Sequence, residues 1–310
     1  MPAPVSFDSA GLRLAGHLHS RDDAAQGLRP AIVVGHPGSG VKEQTAGLYA
    51  RRLAERGFLA LAFDAAYQGE SEGTPRGLED PAHRVEDVKA AVSYLASRPD
   101  VDPDRIGALG ICASGGYVVD AAATDHRIRA VATVSAADIG RLFREGADGT
   151  QGAAVIEGML DAAAQARTAE ARGEGVRSFA LFPATGDEAL ALGGRHGFEG
   201  FEYYCTGRGW HPRSTKRVPW KSVDLVAAYD PFRFIRMIAP RALLMIVGTE
   251  AATKHMTTEA FSAADEPKRL HWVDGASHVG LYDIDDFVTD AIAQLDAFFQ
   301  AELGAAAAAS

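Results

Sequence analysis

The stretch Ile106-Gly-Ala-Leu-Gly-Ile-Cys-Ala-Ser-Gly-Gly-Tyr117 decides how the rest of the chain is read. An apolar run enters a Gly-rich bend and leaves into an apolar segment after Gly116, the pattern of a buried strand, a sharp turn and a helix. The residue at the apex of such a turn holds a strained backbone. Its neighbours two before and two after must be small so that strand and helix can approach. Two frames compete. In one, Cys112 is the apex, Gly110 and Ser114 are its flanks, and the bend starts directly after the strand. In the other, Ser114 is the apex between Cys112 and Gly116, which fits G-x-S-x-G except at its first glycine and moves the bend two residues past the strand. Sterics favour Cys112 as the nucleophile, with Ser114 the alternative. A free cysteine is often only a small buried apolar residue, but that does not account for the strand-turn-helix setting.

Outward from this point the chain alternates strands and helices. Val5 to His19 alternates apolar and polar residues around Ala10-Gly11 and reads as a hairpin. Ala31 to His36 and Phe58 to Phe63 read as strands buried on both faces, with a helix from Glu43 to Arg56 between them. Val85, Val88, Val92 and Leu95 mark a helical stripe between Pro81 and Ser97. Strands come next at Ile106–Leu109, Val131–Ser135, Ala242–Val247 and Leu270–Val273, then a closing amphipathic helix from Ile284 and a tail from Ala305 expected to fray. This rhythm predicts an α/β class with a mainly parallel, doubly wound sheet and a ligand site at the carboxyl ends of its strands. The rhythm breaks between Gly140 and Pro240, where a helical, alanine-rich part (Ala153 to Ala171) precedes a Gly- and aromatic-rich part (Phe179 to Trp220). Residues 1–139 and 241–310 are therefore expected to form the core, and 140–240 an inserted helical cap.

Composition narrows the classes. A chain of 310 residues with 47% hydrophobic and 23% charged residues can bury a large core. The formal net charge of −10 and the lack of a Lys/Arg block oppose a nucleic-acid partner. No run of 18 apolar residues or leader pattern is present, so a cytoplasmic protein that does not engage membranes is expected, with homo-oligomerisation left open. Two cysteines, Cys112 and Cys205, allow neither a disulfide framework nor a four-cysteine zinc site, and Cys205 reads as structural.

His278 lies after the last strand in Val273-Asp-Gly-Ala-Ser-His278, downstream of the bend, the seat expected of a base for Cys112. The acid that would orient it is Glu250, in the turn Gly248-Thr-Glu-Ala-Ala-Thr253, with Asp138 beyond the strand Val131–Ser135 as the alternative. An oxyanion hole is expected from the backbone N–H of Ala113 and one from Gly38 or Ser39 in His36-Pro-Gly-Ser-Gly40, because Pro37 has no donor. That glycine run matches neither phosphate-loop pattern, and His36 reads as structural.

The blocks His36-Pro-Gly-Ser-Gly-Val-Lys-Glu-Gln44, Phe63-Asp-Ala-Ala-Tyr-Gln-Gly-Glu-Ser71, Gly110-Ile-Cys-Ala-Ser-Gly-Gly116 and Ser277-His-Val-Gly-Leu-Tyr-Asp283 resemble the dienelactone hydrolase-like branch of the α/β hydrolases, and within it the subgroup that includes polyketide transferases. The resemblance covers most of the chain. It implies the α/β-hydrolase fold, a Cys-His-acid triad without metal or organic cofactor, and a small-molecule acyl substrate. It is compatible with an ester, thioester or lactone hydrolase working through an acyl-enzyme, and with an acyltransferase. A catalytically silent small-molecule binding protein is the third reading. At Ala251, where the acid of such enzymes often lies, this sequence has none. Tyr203, Tyr204 and Trp210 in the cap, and Tyr67 after Asp64, are candidate walls of an acyl pocket.

Overall fold

The computed structural model describes residues 1–21 and 27–304; the tail expected to fray lies outside the described residues. The hairpin forms from β1 (Ala3–Ser9) and β2 (Leu12–His19), with Ala10 and Gly11 both at positive φ, as a tight two-residue turn demands. Next come β3 (Arg29–Gly35), α1 (Thr45–Glu55) and β4 (Leu59–Phe63), whose Leu-Ala-Leu-Ala-Phe sequence is buried throughout. Asp80 then caps α2 (Pro81–Ala96) by accepting the N–H groups of Ala82 and His83, with Pro81 pre-set at the first helical position. The chain continues through β5 (Val101–Ile111), α3 (Ala113–Thr124) and β6 (Ile128–Val134).

Between β6 and the next sheet strand come α4 (Ile139–Glu145), α5 (Ala153–Ala171), β7 (Ser178–Ala180), α6 (Gly186–Cys205), β8 (Arg217–Pro219) and α7 (Ser222–Ala227). Here β7 and β8 form a small antiparallel ribbon. The Gly- and aromatic-rich part thus contains a 20-residue helical stretch. A reciprocal Thr185–Glu188 capping box starts it, and it kinks where Gly194 takes φ 56° and ψ −154°. The chain re-enters the sheet as β9 (Ala242–Gly248) and finishes with α8 (Lys254–Ala263), β10 (Lys268–Val273), the short α9 (Gly280–Asp283) and α10 (Asp285–Leu303).

The eight-stranded sheet runs β1-β2-β4-β3-β5-β6-β9-β10. Only the β1–β2 and β2–β4 pairs are antiparallel. Each face carries a hydrophobic core, one packed by α2 and α3, the other by α1 and α10. β5 lies in the middle of the sheet, so the bend at its carboxyl end sits where an α/β sheet places ligands.

That bend has its apex at Cys112, with φ 57° and ψ −121°, a conformation unfavourable for any side-chain-bearing residue. It is held in place: the Cys112 N–H donates to the Val134 carbonyl at 3.0 Å, and its carbonyl accepts from Gly115 at 2.8 Å and Ala137 at 3.1 Å. A Cβ at Gly110 would overlap the backbone carbonyl of Ser114. Gly110→Ala should therefore lower stability by at least about 1–3 kcal/mol, the usual cost of overpacking. Urea unfolding checks this, and an unchanged midpoint would mean that strand and helix need not approach so closely.

Candidate active site

Three polar groups surround the Cys112 sulfur: the backbone N–H groups of Ala113 and Gly38 and the Tyr282 hydroxyl. The two amides come from opposite sides of the bend, one from the first residue of α3 and one from the loop after β3. That loop is anchored from below. The fully buried Lys42 places its N–H 2.7 Å from Asp64 Oδ1 and its ammonium 2.8 Å from Asp64 Oδ2 and 2.6 Å from Glu70. Burial works against the charge on Lys42, but the adjoining carboxylates outweigh it and hold its pKa above the ordinary lysine value. Ser39, also at positive φ, gives its carbonyl to Ser214 and leaves its own hydroxyl buried with no partner among the described residues.

His278 is buried on the loop after β10. Ser135 fixes its backbone by donating to its carbonyl at 3.0 Å, and Ser277 Oγ accepts the Gly280 N–H at 2.9 Å, starting the turn into α9. Its Nδ1 lies 2.6 Å from Thr253 Oγ1, and its Nε2 lies 3.0 Å from the Tyr282 hydroxyl. Tyr282 is therefore shared between the Cys112 sulfur and the imidazole. Its ring is wedged against Tyr203 at 5.2 Å, and Tyr49 secures the backbone by donating to the Leu281 carbonyl at 2.7 Å. Tyr204 lies near Tyr282, and the His196 ring, carried on α6, stands edge-on to His278 with centroids 5.0 Å apart.

Burial, and secondarily His196, pushes the His278 pKa well below its ordinary 6.5. Burial also raises the Cys112 thiol above its ordinary value, more than its contacts with Tyr282, Ala113 and Gly38 lower it. Tyr282 is raised for the same first reason. All three shifts favour the uncharged form: a thiol, a phenol and a neutral imidazole.

Neither expected acid partners His278. Glu250 turns into solvent, its backbone tied to Ala276 and its carboxylate 3.7 Å from Arg195 of α6. Asp138 is spent capping α4, accepting the Arg141 N–H at 2.9 Å. The buried Ala251, next to Glu250 in the chain, brings only a methyl group, so Thr253 reaches the imidazole instead. Ser114 is buried on α3, donating to the His36 carbonyl at 2.5 Å and accepting from Arg84 at 3.1 Å. It is part of a structural cluster in which His36 Nε2 accepts the Ala65 N–H and Arg84 and Tyr117 meet Glu79. Among the candidate pocket walls, Tyr204 lies at the site and Tyr203 supports it, accepting the Thr45 N–H at 2.9 Å. Tyr67 instead packs on His83 and Gly73, and the exposed Trp210 lies against Lys216. Among the described residues no His/Cys/Asp/Glu group could hold a metal ion.

A family model described as the dienelactone hydrolase family matches residues 15–137. The uncharacterized protein YcjY of Escherichia coli is 39% identical over 275 residues, 88% of this chain and 89% of that protein. The chain belongs to the dienelactone hydrolase family. The crystal structure of the hypothetical protein PA2218 from Pseudomonas aeruginosa matches with a TM-score of 0.90 at 33% identity, over 97% of this chain and 94% of that one. Thiohydrolase aneE of Aspergillus aculeatus is 28% identical over 277 residues, covering 87% and 84%. As a member of this family the chain is a hydrolase with the α/β-hydrolase fold. No helix among the described residues is long and apolar enough to cross a membrane.

Thr253, Tyr282 and His196 escaped the sequence reading as site residues. Tyr282 carried a local signal, standing four residues after His278 at the next turn. Thr253 carried less, and His196 none, since a kinked cap helix delivers it. The uncharged resting state has a direct readout. Carbamidomethylation of Cys112 by iodoacetamide, followed by mass, should accelerate about tenfold per pH unit from pH 6 up through pH 9, as a thiol with a raised pKa ionises. A plateau between pH 6 and 8 would mean a preformed thiolate.

Proposed function

We propose that this enzyme opens an activated acyl compound, an ester, thioester or lactone, through an acyl group carried on the Cys112 sulfur. The observation that carries this reading is the sulfur at the strained apex with two backbone amides and a tyrosine-linked imidazole around it. In the tautomer that leaves Nε2 free to accept, His278 Nδ1–H donates to Thr253 Oγ1. The Cys112 S–H then donates to the Tyr282 oxygen and the Tyr282 O–H to His278 Nε2. As sulfur attacks the carbonyl, its proton enters this chain and a proton arrives on Nε2. The Ala113 and Gly38 N–H groups hold the oxygen that becomes negative. Collapse expels the leaving group, which takes the proton from His278, and a thioester to Cys112 remains. A buried imidazolium without a carboxylate is a weak resting point but a strong acid, which suits leaving groups that need a proton. Ser39, with its idle hydroxyl beside Gly38, is a further donor for the substrate oxygen.

Water as the acceptor makes a hydrolase; an alcohol or amine makes an acyltransferase. A protein that only binds small molecules fits less well, because a strained apex held by three backbone hydrogen bonds serves no binding role. We expect a cytoplasmic enzyme acting on a small molecule without metal or organic cofactor.

After a pulse of p-nitrophenyl acetate, intact mass should show one acetyl group on the wild type and on Ser114→Ala, and none on Cys112→Ala. An adduct that survives in Cys112→Ala but is lost in Ser114→Ala would overturn the assignment. Thr253→Val leaves Nδ1 buried without its partner and should cut the acylation rate about 10- to 100-fold, matching the roughly 1–3 kcal/mol cost of an unmet buried donor. Stopped-flow release of p-nitrophenolate measures it; a wild-type rate would show that Thr253 does not orient the imidazole.

A further inference from the structure

We propose that His196 receives the acceptor, water or an alcohol, and takes its proton during release of the acyl group from Cys112. This rests on the acyl-enzyme reading above. In the resting site both nitrogens of His278 already have partners, Nε2 the Tyr282 hydroxyl and Nδ1 the Thr253 hydroxyl, so neither waits unpaired for a second reactant. His196 supplies what is missing. Its ring stands edge-on to His278 at 5.0 Å, its Nδ1 is shut off from solvent, and that nitrogen has no hydrogen-bond partner among the described residues. A buried ring nitrogen left unpaired is costly and rare in folded proteins, and it calls for a ligand atom that donates.

The fold aims this ring with some effort. Gly194, two residues earlier, breaks α6 with a backbone no other residue adopts readily, so the segment bearing His196 runs in its own direction. Arg195 reaches across to Glu250 on the turn after β9, which gives that exposed carboxylate a role in docking the cap over the site. Burial lowers the His196 pKa below its ordinary value, while the carboxylates of Glu199 and Asp148 act against this from a distance. It therefore stands neutral and able to accept a proton.

In the release step the acceptor oxygen bonds to the thioester carbon while its proton moves to His196. The tetrahedral oxyanion, held by Ala113 and Gly38, collapses and the C–S bond breaks. Cys112 leaves as thiolate and takes up one proton from solvent through the Tyr282 chain, which balances the one that His196 gives back. His196 returns its own proton to solvent. Two histidines then divide the cycle: His278 serves the sulfur and the leaving group, His196 the acceptor.

The test separates the two half-reactions with p-nitrophenyl acetate. In His196→Gln and His196→Ala, the burst of p-nitrophenolate should keep its wild-type rate and amplitude, which also shows that the site is folded. Steady-state turnover should fall about 100-fold, within the usual range for loss of a general base, and acetyl-enzyme should accumulate in the intact-mass spectrum. Added imidazole should restore turnover to His196→Ala more than to the wild type. Deacylation at the wild-type rate in both variants, or loss of the burst with turnover, would overturn the proposal. If the wild type itself forms no adduct on Cys112, it is the acyl-enzyme reading that fails instead.

Discussion

A phenol hydroxyl shared between the Cys112 sulfur and a buried imidazole is the interaction around which the site is arranged. Tyr282 touches both, and each of its neighbours is there to keep it so. Tyr49 pins the backbone of α9, Tyr203 packs edge-on against the ring, and Arg208 holds the adjoining Asp283 with two short contacts of 2.9 and 2.6 Å. Moving charges into such a place is expensive, so the groups rest neutral and charge forms only as reaction proceeds.

This choice explains the absent carboxylate in physical terms. An Asp or Glu at the imidazole would add a third buried ionisable group and stabilise an imidazolium. Thr253 orients the ring by a hydrogen bond alone, at little desolvation cost. The charged residues of this region are moved a layer outward. Lys42 with Asp64 and Glu70 fixes the loop that bears Gly38, and Arg84 with Glu79 fixes the start of α3 through Ser114. Charge here shapes the scaffold, and the reacting atoms meet hydrogen bonds.

Much of the fold was legible because its signals are local. The all-apolar Leu59–Phe63, the Asp80-Pro81 start of α2 and the Ala10-Gly11 turn each carry their structure in a few residues. The apex at Cys112 was legible for the same reason: Gly110 is required by the carbonyl of Ser114 only four positions on. The orienting partner of His278 was not, because Glu250 and Thr253 share one turn and the side of it that faces inward depends on how Ala276 receives the Glu250 N–H. Cap residues were harder still. Helix α6 hides behind its glycines, and whether Tyr204, Trp210 or His196 meets the site depends on the direction taken after Gly194.

The protonation state of His278 tests the neutral chain most directly. In a sample labelled with 15N at histidine, the ring nitrogens of His278 should show a neutral imidazole with the proton on Nδ1 throughout pH 6 to 8, and unchanged by alkylation of Cys112. Imidazolium shifts at pH 7 that vanish when Cys112 is alkylated would reveal a thiolate–imidazolium pair and contradict the account.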